Sequence, residues 1–196
     1  MLPTRRTALA AFLAAPALPL AGRGVAEAQN APPRLELTPA CGDSDERTVA
    51  EEEGPFFKPN APPKHDLAAD SPKGERITIA GFVLDARCQP VSKAIVQIWH
   101  ADAKGQYDNS GYHLRGYQST DESGRWWFST IVPGLYPGRT RHYHVKVQRP
   151  FGSLLTTQLY FPAEPRNAED SLFDKRLLLR IKDASDGRFG RFDFVV

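Results

Sequence analysis

Two histidines and two tyrosines hold the chemistry in this sequence. His142 and His144 lie in the run Gly134-Leu135-Tyr136-Pro137-Gly138-Arg139-Thr140-Arg141-His142-Tyr143-His144-Val145-Lys146-Val147. The tail of that run reads as a β-strand. In a strand, residues two apart share a face and stand roughly 7 Å apart along the backbone, so two imidazoles can converge on one metal ion. Tyr136 lies just upstream, and Tyr107 lies in a polar loop. A phenolate is a hard anionic ligand that suits Fe(III), so histidine together with tyrosine points to a ferric site. Each signal has a bland counterpart: His-x-His also occurs in zinc sites and plain strands, Tyr136 reads equally as a buried turn aromatic, and Tyr107 as a surface loop residue.

The elements that must position these residues read as strands. Ile77 to Leu84 alternates and is β-branched. Ala94 to Trp99, Trp126 to Ile131, His142 to Gln148, Thr156 to Phe161, Leu177 to Lys182 and Phe192 to Val196 follow, with turn signals between them. Seven short strands spaced in this way predict an all-β fold, an antiparallel β-sandwich with long loops. Asp102 to Gly116 is a polar loop of about fifteen residues, long enough to suggest function. Residues 29–75 are rich in proline, charge and small residues and read as an extended N-terminal arm, with the core running over 76–196. Within the arm, Phe56-Phe57 needs a burial site. Asn167 to Lys175 is the only candidate for a helical turn.

Residues 1–28 read as an export signal rather than fold. Arg5-Arg6 is followed by an apolar stretch, Ala8 to Ala21, too short for a membrane span and broken by Pro16 and Pro19, and Ala26-Glu27-Ala28 fits a cleavage site. The arginine pair resembles a twin-arginine signal, which implies a periplasmic or secreted protein. The whole chain has 25 Lys and Arg against 23 Asp and Glu. Residues 1–28 contain three arginines and one glutamate, so their removal leaves a formally neutral chain. Nothing in that balance supports binding to nucleic acid or to an anionic membrane. The remaining residues, about 168, suffice for one domain with a core. The two cysteines, Cys41 and Cys88, have neither CxxC nor zinc-finger spacing, and in an oxidising compartment they are expected to form a disulfide tying the arm to the first hairpin.

Several short motifs together carry a family resemblance. They are Glu53-Gly54-Pro55-Phe56-Phe57, Gln89-Pro90, Ile98-Trp99-His100-Ala101-Asp102, Gly105-Gln106-Tyr107, Arg115-Gly116, Thr120-Asp121, Pro133-Gly134-Leu135-Tyr136, His142-Tyr143-His144 and Thr157-Gln158-Leu159-Tyr160-Phe161. In this order they resemble the intradiol ring-cleavage dioxygenases, the family of protocatechuate 3,4-dioxygenase and catechol 1,2-dioxygenase. The resemblance implies one non-haem Fe(III) per chain, held by Tyr107, Tyr136, His142 and His144. It places Arg139 on the family's catalytic arginine, with Arg141 as a rival, and Gln158 on a glutamine behind the ligands. Tyr136 matches the ligand that leaves as a base when a catechol loses its two protons. The implied reaction cleaves a catechol with O2 between its hydroxylated carbons to a cis,cis-muconate-type product. Homo-oligomers and mixed assemblies both occur in the family, so a homo-oligomer is open.

The rival reading is a non-catalytic module. Gly81 to Tyr136 also resembles the prealbumin-like or carboxypeptidase-regulatory-like sandwich, whose strand ends in Pro-Gly-x-Tyr. Such a module needs neither Tyr107 nor His-x-His. A zinc hydrolase would need a carboxylate or third histidine at the site, and none has suggestive spacing. His100 and His113 read as structural or exposed, His65 has no evident partner, and Arg115 is either near the site or solvated. Tyr143 points away from the histidine face by alternation.

Overall fold

The alternation of Ile77, Ile79 and Val83 places one side of a strand in the core, and the chain builds two sheets around that principle. The computed structural model describes Leu35, residues 47–185 and residues 187–196. These belong to one compact unit, Pro32–Val196. The predicted export signal and Cys41 lie outside the described residues. Nine strands occur among the latter: β1 (Arg76–Leu84), β2 (Ile95–Trp99), β3 (Arg115–Ser119), β4 (Arg125–Ile131), β5 (His142–Gln148), β6 (Leu154–Tyr160), β7 (Arg180–Ala184), β8 (Gly187–Arg191) and β9 (Phe194–Val195).

One sheet has the order β4-β1-β8-β7, with β9 pairing β1; the other is β3-β2-β5-β6. The β-sandwich expected from the strand spacing is present. Its first sheet is mixed rather than wholly antiparallel, because β8 and β9 both run parallel to β1. Two strands were not anticipated. β3 lies at the end of the polar loop, and β8 is Gly-Arg-Phe-Gly-Arg; neither has an apolar alternation to read. The strand expected from Leu177 begins instead at Arg180, because Lys175–Leu177 forms a 3-10 turn. A second such turn, Pro165–Ala168, covers only the start of the predicted helical segment. No described helix is long and apolar enough to cross a membrane.

The core draws on both sheets: Ile77, Ile79, Trp126 and Phe128 from the first, and Val96, Ile98, Tyr143, Val145, Val147 and Leu159 from the second. Burying each large apolar side chain contributes about 1.5–3 kcal/mol before entropy is set against it. This packing also sets the site. On β5 the odd-numbered Tyr143, Val145 and Val147 enter the core, so the even-numbered His142 and His144 must turn to the outer face of the second sheet. On β6 the same alternation sends Leu159 inward, and the register pairs His144 with Gln158 and His142 with Tyr160. β2 pairs Trp99 with His144.

Candidate metal centre

On that outer face the two imidazoles meet. His142 Nε2 lies 3.1 Å from His144 Nε2, and the Tyr107 hydroxyl lies 3.2 Å from His142 Nε2. His142 Nδ1 donates to the Thr140 carbonyl at 2.7 Å, which leaves its Nε2 as a lone pair. Burial lowers the His142 pKa to about 4 and depresses His144 well below the usual histidine range, so both rings are neutral. His144 is held edge-on to the site by Trp99, stacked at 5.0 Å and 5°. Its Nδ1 is buried without a hydrogen-bond partner.

These observations fit a metal ion. Two neutral nitrogens 3.1 Å apart and a phenol oxygen 3.2 Å from one of them are donors that could share one cation. Among the described residues no group of three or more His, Cys, Asp or Glu side chains forms a metal-binding cluster, so the donor set available here is imidazole and phenol.

Tyr107 and Tyr136 arrive on separate loops that are closed against each other. The Gly134 N–H donates to the Asp102 carbonyl at 2.7 Å, as does the Gly105 N–H at 3.0 Å. A Cβ on Gly105, whose φ is +81°, would stand 2.2 Å from the Leu135 carbonyl oxygen, so only glycine permits this approach. The two tyrosine rings consequently lie 5.8 Å apart in an edge-on arrangement. Burial raises the Tyr107 pKa, with Arg139 and Arg115 acting in the opposite sense. The phenol is thus neutral by itself and needs a bound cation to ionise.

The N-terminal arm forms the roof. Phe56 stacks on Tyr107 at 4.3 Å and meets Tyr136 edge-on at 5.3 Å, while Phe57 packs on Trp99 at 5.2 Å. The two adjacent aromatics therefore find their burial against the site itself. Arg115 is buried, not solvated: it donates to the Phe56 carbonyl at 2.6 Å and to the Asp108 carbonyl at 3.0 Å, clamping the arm to the Tyr107 loop. A Cβ on Gly54, at φ +72°, would stand 3.0 Å from His144 Cε1. Gly54→Ala is expected to push His144 off its donor position and weaken metal affinity about ten- to a hundredfold, the range for residues that orient a metal ligand. Competition with a chelator checks this; unchanged affinity would mean the roof moves freely.

Arg139 and Arg141 have different surroundings. Arg139 donates through Nε to Asp170 at 2.8 Å and through Nη2 to Gln158 Oε1 at 2.7 Å, which puts it beside the histidine face. Arg141 turns away to Glu164 at 3.1 Å and to the Pro133 carbonyl. Asp170, Glu51 and Tyr160 complete the surroundings of Arg139; Asp170 and Glu51 had no signal in the sequence, and Tyr160 stood only as one member of the Thr157–Phe161 motif, with no role assigned. Burial works against ionisation of Asp170, but the Thr140 and Leu172 N–H groups and Arg139 hold its carboxyl below the usual range. His100 is structural, bonded to Thr130 Oγ1 and the Ala101 carbonyl, both at 2.7 Å. His65 packs on Trp127 at 4.3 Å, and Tyr143 donates into the core to the Ile131 carbonyl at 2.8 Å.

The sandwich has counterparts among known proteins. The family model described as "Dioxygenase" matches residues 52–195. The chain belongs to the intradiol ring-cleavage dioxygenase family. It is 36% identical over 135 residues to the protocatechuate 3,4-dioxygenase beta chain of Burkholderia cepacia, covering 57% of each chain. It is 31% identical over 172 residues to 6-chlorohydroxyquinol 1,2-dioxygenase of Cupriavidus pinatubonensis, covering 73% of this chain and 62% of the relative. The chain spans little more than half the length of several curated relatives it matches. Among solved structures it resembles the dioxygenase domain of a dioxygenase–carbohydrate-binding protein fusion from the cellulolytic bacterium Streptomyces sp. SirexAA-E. That match has 48% identity and a TM-score of 0.75, over 77% of this chain and 98% of that one. It also resembles 3-chlorocatechol 1,2-dioxygenase from Rhodococcus opacus 1CP, at 26% identity and a TM-score of 0.69, over 76% of this chain and 72% of that one.

Proposed function

We propose that the chain is a non-haem Fe(III)-dependent dioxygenase that cleaves a catechol-type ring between its two hydroxylated carbons. The observation that carries this reading is the meeting of His142 Nε2, His144 Nε2 and the Tyr107 hydroxyl at 3.1 and 3.2 Å beside Arg139. His142, His144, Tyr107 and Tyr136 would hold the metal. Iron(III), when bound, supplies the Lewis acidity that favours phenolate over phenol and activates a catechol ring toward dioxygen. Tyr136 would accept one proton from the incoming catechol. Arg139, fixed between Asp170 and Gln158, meets the negative charge that builds on the ring. Phe56 and Phe57 keep water from the roof and give a planar ring an aromatic surface to enter along. A prealbumin-like module needs none of these buried polar groups, and no observation favours it.

The substrate class is a ring with two adjacent hydroxyls, as the names of the relatives that act on catechol, hydroxyquinol and chlorinated forms suggest. Oxygen uptake by the iron-loaded chain over a panel of catechols tests this. Consumption with at least one member is expected, together with a visible tyrosinate-to-iron band that Tyr107→Phe shifts or weakens. A colourless zinc protein that consumes no oxygen would exclude it.

The chain is further proposed to be exported, with residues 1–28 removed, and Cys41 bridged to Cys88. The Arg5-Arg6 pair and the apolar stretch after it support export. Cys88 lies at φ 59° in the turn after β1, and its proposed partner is outside the described residues. The closed loop of nearly fifty residues implies roughly 4 kcal/mol of stabilisation on the chain-entropy account. Alkylation of exported protein without reductant should label neither cysteine; labelling of both would show that packing alone holds the arm.

A further inference from the structure

Tyr160 has one hydroxyl hydrogen and three oxygens within reach of it. Glu51 Oε2 lies at 2.6 Å, the Leu172 carbonyl at 2.9 Å and Gln158 Oε1 at 3.3 Å. Gln158 Oε1 is also the atom to which Arg139 Nη2 donates at 2.7 Å. Where the Tyr160 hydrogen goes therefore decides whether Gln158 serves Arg139 alone. Glu51 is anchored to β6 by its own N–H, which donates to the Thr156 carbonyl at 2.8 Å. It lies one residue outside the span matched by the family model, so family membership carries no role for it.

We infer that Glu51 is a positioning residue for Arg139, acting through Tyr160 and Gln158. The inference rests on the reading of Arg139 as the group that meets charge on the substrate. Ionised Glu51 draws the Tyr160 hydrogen along the shortest of its three bonds, and Gln158 Oε1 is left to Arg139. Protonated Glu51 donates its own hydrogen to Tyr160 instead. The Tyr160 hydrogen then turns to the Leu172 carbonyl or to Gln158 Oε1, where it competes with the guanidinium. The groups that face Glu51 are Tyr160 on β6, Arg139 on the connection before β5, and Asp170 and Asp174 on the segment after β6. Burial raises the Glu51 carboxyl to about 7; the Tyr160 hydrogen bond and Arg139 oppose this, and Asp174 and Asp170 add to it. The switch between the two hydrogen-bond patterns thus falls near neutral pH.

The test compares iron-loaded wild type with Glu51→Gln and Tyr160→Phe. Steady-state oxygen uptake with catechol is followed against pH, and thermal melts are recorded over the same range. In wild type kcat should rise about tenfold as pH increases through about 7, with KM little changed, an effect at the lower end for groups behind a metal site. Glu51→Gln should be flat at the low-pH level, and Tyr160→Phe, which has no hydroxyl hydrogen to compete for Gln158 Oε1, flat at the high-pH level, both retaining iron. The melts read Glu51 independently of turnover. A carboxyl whose folded pKa is raised loses stability as pH climbs from its unfolded value of about 4.5 to its folded value of about 7. Glu51→Gln cannot ionise, so its melting temperature relative to wild type should increase across that window and hold above it. A merely structural role would shift both variants equally at every pH. An unchanged wild-type-like pH step in Glu51→Gln would overturn the inference while leaving the functional proposal intact. A wild type that consumes no oxygen with any catechol would remove that proposal and this inference with it.

Discussion

His142→Ala abolishes iron binding and with it all oxygen consumption. The expectation follows from the position of this ring at the centre of the donor set: its Nε2 lies 3.1 Å from His144 Nε2 and 3.2 Å from the Tyr107 hydroxyl. Without it, His144 and Tyr107 no longer share a neighbour at coordination distance. Residues that only orient a ligand are worth about ten- to a hundredfold in affinity, and loss of the ligand itself exceeds that. The fold should persist, because His142 belongs to the outer face of β5 and the core cluster takes its neighbours Tyr143 and Val145. Metal analysis after dialysis, paired with circular dichroism, checks both halves. A variant that kept a full complement of iron would move the centre elsewhere.

Arg139→Ala keeps iron and still binds catechol, but its turnover falls by about two to three orders of magnitude, the effect of removing one charge-stabilising donor, equivalent to about 3–4 kcal/mol. The variant also strands Asp170, whose side chain is 2% exposed and ion-paired to Arg139. Removing one partner of a buried pair is itself destabilising. Melting temperature must therefore be measured alongside, and Arg139→Lys separates the two effects. Lysine keeps a cation near Asp170 but cannot reach Asp170 and Gln158 with one planar fork, so it should recover stability more than rate. Arg141→Ala should be close to wild type in rate, because its guanidinium is spent on Glu164 and the Pro133 carbonyl. Full activity in Arg139→Ala with a dead Arg141→Ala would exchange the two roles.

The parts of this protein that repeat with a local period were legible in its sequence. His142 and His144 could be placed on one face because a strand alternates and Tyr143, Val145 and Val147 had to be inside. β3 and β8 were not legible: Arg-Gly-Tyr-Gln-Ser and Gly-Arg-Phe-Gly-Arg become strands only because β2 and β1 offer them backbone partners. Tyr107 was noticed by its residue type, but its place in the ligand set came from the resemblance, since its approach to the histidines depends on the glycine contact between two loops. Asp170 and Glu51, and the role of Tyr160 within its motif, were invisible for a further reason. Their bonds span 31 residues from Arg139 to Asp170 and 109 from Glu51 to Tyr160, and no pattern of residue type announces a hydrogen bond at that separation. The same holds for Trp99, which reads as packing and is packing, but against a proposed metal ligand.

The most direct measurement is the fate of labelled dioxygen in a preparation whose iron has been counted. The iron-loaded chain is given catechol under 18O2, and the product is analysed by mass spectrometry. One iron per chain and a cis,cis-muconate-type dicarboxylate carrying both labelled atoms is the predicted result. A preparation with one iron per chain that yields no ring-cleaved product from any catechol, or that cleaves outside the two hydroxylated carbons, would contradict it.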